Sequence, residues 1–110
     1  MVDIDEKTKE KIIQLQVLEQ RSQSLLIQKQ VFQTQLLEIE NAITELDKTK
    51  DNVYKLVGPV MVSAKRLDLK KELESKKEIL TIRIENIEKQ ESKIKEESLK
   101  IQKEVMKYIQ

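Results

Sequence analysis

The chain has 110 residues, of which 37% are charged and only 3% aromatic, with one glycine, one proline, no cysteine and no histidine. Its length allows one domain at most, and so few rings and chain breakers suit long helices better than a globular core. The net charge of +1 argues against a nucleic-acid binder or a polybasic membrane patch, and the missing Cys and His remove a disulfide framework, a thiolate metal site and imidazole catalysis.

From about residue 5 to residue 50 there is no Gly or Pro, and apolar residues recur at alternating steps of three and four. One series is Ile4, Leu18, Leu25, Phe32, Ile39 and Leu46, with Lys11 at the remaining seventh place. The interleaved series is Leu15, Leu36 and Ile43, with Thr8, Ser22 and Lys29 between them. This is a heptad seam with a polar middle and predicts one long helix. Asp3 with Glu6 three residues later is the expected cap. Asp51-Asn52 is the expected stop, since Asn tolerates the left-handed conformation there.

Val53-Tyr54-Lys55-Leu56-Val57, Gly58-Pro59 and Val60-Met61-Val62 come next, dense in β-branched residues around a turn dipeptide. The pattern predicts strand, tight turn, strand over about 53–62. Pro59 is poorly placed in a standard two-residue hairpin loop, which leaves the turn type open.

A second helix is expected over about 67–109. Leu73, Leu80, Ile87, Ile94, Ile101 and Tyr108 fall every seventh residue, beside the weaker series Lys77, Ile84, Glu91, Ser98 and Val105. Each helix is about 65 Å long at ~1.5 Å per residue. So short a connection makes the helices antiparallel. Folding about Gly58-Pro59 sets Lys29 near Glu91 and Ser22 near Ser98, so the polar breaks roughly face each other. They either fix the register or are simply weak seam positions. The predicted fold is thus all-α dominated: a long antiparallel two-helix coiled coil joined by one short β-hairpin.

An isolated two-stranded hairpin is marginal in water. Here it exposes Val53, Leu56, Val57, Val60, Met61 and Val62 along with unpaired edges, which invite other strands. Pooling of hairpins from several chains into a shared sheet or barrel removes both problems. A hairpin folded back on its own helices finds little spare apolar face beyond Leu69, Ile79 and Ile82.

No catalytic residues, metal or cofactor are expected. One glycine leaves no Gly-rich phosphate loop. Carboxylates alternate with lysines, as in Glu72, Glu74, Lys76, Lys77 and Glu78, and read as a solvated face. The longest apolar run, Leu56 to Val62, falls far short of the ~20 residues that span a bilayer. The acidic N-terminal sequence lacks the basic start of a signal peptide. A soluble cytoplasmic protein is the expectation.

Three strings carry a resemblance across essentially the whole chain: Gln28-Lys29-Gln30, the hairpin Val53-Tyr54-Lys55-Leu56-Val57-Gly58-Pro59-Val60, and Ile87-Glu88-Lys89-Gln90-Glu91. In this order and spacing the chain resembles the prefoldin β-subunit family of archaeal type. The resemblance implies a single prefoldin-like domain over 1–110 and a hetero-hexamer of two α and four β subunits. It implies hairpins that build a β-barrel platform, with Val53, Tyr54, Leu56, Val57, Val60, Met61 and Val62 as assembly residues. It also implies an ATP-independent chaperone that holds unfolded client proteins at the coiled-coil tips and passes them to a group II chaperonin.

The tip near both termini offers Ile4, Ile12, Ile13, Leu15, Val105, Met106, Tyr108 and Ile109 as client contacts. Ile13, Met106 and Ile109 lie off the seam. Ile12, Leu15, Val105 and Tyr108 individually are expected to close the coil, with client contact a property of the tip as a whole. Two other functions compete. A plain tethering coiled coil has no need of a strand-forming apolar loop. A nucleic-acid-binding helical arm, like that of some tRNA synthetases, needs a basic stripe, and here Glu and Lys are interspersed on both helices.

Overall fold

The computed structural model describes residues 5–109, the side chain of Ile109 excepted. The elements run α1 (Glu6–Lys48), β1 (Val53–Val57), β2 (Val60–Ala64) and α2 (Arg66–Ile109). The fold is all-α dominated, a two-helix antiparallel coiled coil with one β-hairpin between the helices. The described residues divide into two compact units. One joins the residues up to Gln30 with those from Glu85 onward, and the other is Val31–Ile84.

In the terminal unit the heptad seam forms the core. Leu18, Ile94, Ile101 and Val105 are buried together, with Ile12, Leu15 and Leu25 packed against them. Thr8, a seam position nearer the chain start, is buried as well. Helix α1 is capped by Asp5, whose Oδ1 accepts the Thr8 N–H at 2.7 Å. That contact satisfies one of the free donors of the first turn. Asp3, the cap expected from the sequence, lies outside the described residues.

In the hairpin unit Leu46, Val53, Leu80 and Ile84 are buried. Helix α1 ends at Lys48, before the expected Asp51-Asn52 stop, and no described non-glycine residue has a positive φ. The carbonyl of Glu45 accepts the Thr49 N–H at 3.0 Å, and that of Leu46 is met from across the connection. Arg66 Nη1 donates to Leu46 O at 3.1 Å and to Thr49 O at 3.3 Å. An arginine at this place meets both the unpaired carbonyls and the negative end of the helix.

The hairpin pairs Val53 with Ala64, Tyr54 with Ser63, Lys55 with Val62, Leu56 with Met61 and Val57 with Val60. Its second strand therefore runs two residues past Val62. Gly58 and Pro59 form a two-residue loop in which Gly58 has φ of 60°. Proline is confined to φ near ~−65°. Positive then negative φ is the sign pattern of a type II′ turn, which takes glycine first and matches strand twist. Pro59 thus fits the second place of this loop, although the sequence pattern had made it look ill-suited.

Candidate functional site

The hairpin presents two surfaces. Residues paired across the strands share a face and alternate along each strand. One face carries Val53, Lys55, Val57, Val60, Val62 and Ala64; the other carries Tyr54, Leu56, Met61 and Ser63. Only the base is covered within this unit: Val53 is buried and lines a cleft with Ala42, Leu46, Leu69 and Leu73. Val62 is half-buried. Leu56 is 68% exposed and Met61 65%, and Tyr54, Val57 and Val60 are also more than half exposed. The sheet has only these two strands, so each strand has one unpaired edge. Of the seven candidate assembly residues, five are therefore open to solvent on both faces of an edge-unsatisfied hairpin. Such a contiguous apolar surface marks an interaction site.

Charge ties β1 to α2 and the two helices to each other beside the hairpin. Lys55 Nζ lies 3.3 Å from Glu72 Oε2, and Lys70 Nζ lies 2.7 Å from Asp47 Oδ1. Arg83 stacks 5.7 Å from the Phe32 ring centroid.

In the terminal unit the candidate client residues separate by position. Ile13, Met106 and Tyr108 are each more than half exposed. Ile12 and Leu15 are half-buried against the core, and Val105 is buried in it. Ile4 and the side chain of Ile109 lie outside the described residues. Tyr108 was expected to close the seam, but it is 59% exposed. Lys11, from an early turn of α1, lies beside it. Its Nζ sits 5.3 Å from the Tyr108 ring centroid and 2.9 Å from Glu104 Oε2. The ring gains the cation's attraction while remaining wet.

The polar breaks of the two seams do meet. Lys29 Nζ and Glu91 Oε1 are 2.9 Å apart with both side chains about four-fifths buried. Ser22 and Ser98 line one cleft of about 320 Å³ with Leu18, Glu91 and Ile94. A partly buried pair of this kind costs some desolvation and specifies alignment.

Charge pairing sets the pH response. A hydrogen bond from Lys55 holds Glu72 below the ordinary carboxylate value, and Lys11 does the same to Glu104. Hydrogen bonds to Glu104, Glu91 and Asp47 raise Lys11, Lys29 and Lys70 above 10.5. Depressed carboxylates stabilise the fold above the ordinary carboxylate range, and that contribution is lost as pH falls through their folded values. Raised lysines stabilise it at lower pH, and that contribution is lost as pH rises through theirs. The sequence has no His or Cys, the side chains whose ordinary values lie between about pH 6 and 9. Thermal melts followed by circular dichroism are expected to show a flat melting temperature across that window and a fall on either side. A step inside the window would contradict this assignment of the charges.

Among the described residues no group of three or more His, Cys, Asp and Glu is placed to hold a metal ion. No described helix is long and apolar enough to cross a membrane.

Comparisons with known proteins agree with this geometry. The family model of prefoldin subunits matches residues 9–110. The prefoldin subunit beta of Archaeoglobus fulgidus is 40% identical over 87 residues, which is 77% of this chain and 75% of that protein. That of Methanospirillum hungatei is 34% identical across the whole chain and covers 93% of the relative. The crystal structure of the prefoldin beta subunit from Thermococcus strain KS-1 superposes with a TM-score of 0.90 at 28% identity, covering 97% of this chain and 96% of that one. With a family match over nearly its whole length and archaeal beta subunits as its relatives, the chain belongs to the prefoldin subunit family.

Proposed function

We propose that this chain is a β-type subunit of an ATP-independent chaperone, a cytoplasmic hetero-hexamer with an α subunit and further β subunits. In this reading the hairpins of all subunits merge into a β-barrel platform. The ends of the coiled coils hold unfolded proteins, keep them from aggregating and deliver them to a group II chaperonin. The observation that carries the reading is the hairpin: Tyr54, Leu56, Val57, Val60 and Met61 are exposed on a two-stranded sheet with free edges. A tether has no use for such a surface, whereas a subunit of a shared sheet requires it.

Client holding follows from weak multivalent contact. The exposed apolar residues of one tip, Ile13, Met106 and Tyr108, cover little area, at ~25 cal/mol per Å² buried. Several tips on one platform raise the effective concentration and retain a client without a tight grip. The test is suppression of aggregation of a chemically unfolded protein by the chain assembled with an archaeal prefoldin α subunit, without nucleotide. Suppression is expected near one complex per client. A complex that assembles and leaves aggregation unchanged would reduce the chain to a scaffold.

The seam breaks enter the same assay. Replacing Ser22, Lys29, Glu91 and Ser98 together by Leu or Ile removes a partly buried ion pair and fills the cleft beside it, so the melting temperature is expected to rise. Protection of large clients is expected to fall, because a stiffer coil splays less. Protection equal to that of the parent would dissociate client fit from the seam.

A further inference from the structure

Only one of the two hairpin faces leans on the helices. On that face the pairs run outward from the base as Val53 with Ala64, Lys55 with Val62, and Val57 with Val60. Val53 is buried and Ala64 half-buried; Lys55 and Val62 are half-buried; Val57 and Val60 are exposed. On the opposite face Tyr54, Leu56, Met61 and Ser63 are all exposed. The cover therefore ends at the level of Lys55, which is also the only charged residue in either strand. Its Nζ reaches Glu72 Oε2 of α2 at 3.3 Å, with the two side chains 40% and 41% exposed. Glu72 lies one turn along α2 from Leu69, which borders the cleft at Val53. It is also held from its own helix, with Lys76 Nζ 3.5 Å from its Oε1.

We propose that Lys55 and Glu72 form a strut that fixes the angle between the hairpin and the helices below it, so that each chain sets for itself the direction in which its coil leaves the platform. The inference rests on the hairpin assembly proposed above and adds two positioning residues to it. Two features carry it. Val53 is the one buried residue of the hairpin, and a body held at a single point turns about that point. Lys55 adds a second attachment two residues further along the strand, about 7 Å away, and removes that freedom. The helices that the strut bears on are themselves tied together. Arg66 donates to the carbonyls of Leu46 and Thr49, and Lys70 Nζ lies 2.7 Å from Asp47 Oδ1. Half-exposed, the Lys55 pair adds little to stability, so its effect is directional. The second feature is the charge itself. A lone cation on an apolar assembly surface needs a counter-ion once it is covered. Glu72 supplies one from within the chain, so a neighbouring subunit has none to provide.

The chain has no cysteine, so a pair of nitroxide labels can be attached at Ser63→Cys on β2 and Ser75→Cys on α2, both exposed positions. Their separation, read by pulsed electron spin resonance, reports the hairpin against the helix. It is measured in the full chain alone and in the chain assembled with an archaeal prefoldin α subunit, diluted with excess unlabelled chain. A narrow distance distribution is expected for the parent in both states. Lys55→Met and Glu72→Ala are each expected to shift and broaden it in both states. Native mass is expected to show the hexamer still, and the melting temperature to hold within about 4 °C, as for loss of a half-exposed ion pair. The exchange Lys55→Glu with Glu72→Lys is expected to restore the narrow distribution, which loss of packing alone would not allow. An unchanged distribution in both single variants would overturn the strut. A distribution broad in the free parent and narrow only after assembly would overturn it likewise, by making the platform set the angle. Loss of the hexamer in Lys55→Met with the free-chain distance unchanged would overturn it too, by making Lys55 a contact between subunits. A parent that does not assemble would refute the platform reading, whereas the strut stands or falls on the free-chain distance.

Discussion

Replacing Val57 and Val60 by Asp is expected to abolish assembly with the α subunit while leaving the coiled coil folded. The two residues are directly paired beside the turn, and both are more than half exposed in the single chain. Two carboxylates set opposite each other on an exposed hairpin repel with a cost of about 1 kcal/mol or less. In a shared sheet the same carboxylates are buried, and an unpaired buried charge costs several kcal/mol. The effect on assembly therefore far exceeds the effect on the chain's own fold. A loss of about 4 kcal/mol corresponds to roughly a thousandfold weaker association. Native mass, measured for the chain alone and mixed with the α subunit, reads the result: a hexamer for the parent and separate subunits for the variant. Far-ultraviolet circular dichroism is expected to be unchanged. A variant that still assembles would show that the hairpin is not the interface. Loss of helicity would mean that the hairpin is needed by its own helices, contrary to its exposure.

Ile94→Ala is expected to cost about 2–4 kcal/mol of stability, in the range for truncating a buried Ile. Ile94 is 6% exposed and belongs to the buried cluster with Leu18, Ile101 and Val105. A two-helix coil has one seam and no second layer to close a cavity, so the loss is not shared with other parts of a core. Leu99→Ala is the companion measurement. That residue is about half exposed on the same helix, and its removal is expected to change stability by about 0.5 kcal/mol. Chemical denaturation of the two variants separates the cases. Equal losses would mean that the seam is not where the terminal unit's stability lies.

The sequence carried the architecture because a coiled coil is written in one dimension. A heptad repeat names the buried stripe directly, and every apolar seam position from Leu80 to Val105 on α2 is buried. The facing of Lys29 and Glu91 followed from the same counting once the turn was placed at Gly58-Pro59, and the two side chains lie 2.9 Å apart. The candidate assembly surface was legible for a related reason, since a β-branched run between two breaker-free helices has no other element to pack on.

Tertiary structure decided what local pattern does not encode. Tyr108 keeps heptad phase yet stays exposed, with the Lys11 ammonium over its ring and beside Glu104. At the end of α1 the Arg66 guanidinium, from beyond the hairpin, donates to the carbonyls of Leu46 and Thr49, contacts across 20 and 17 residues that no local stop signal announces. Periodicity along one strand of sequence ranks positions by burial. The chemistry of a surface depends on which side chains of the partner helix arrive beside them.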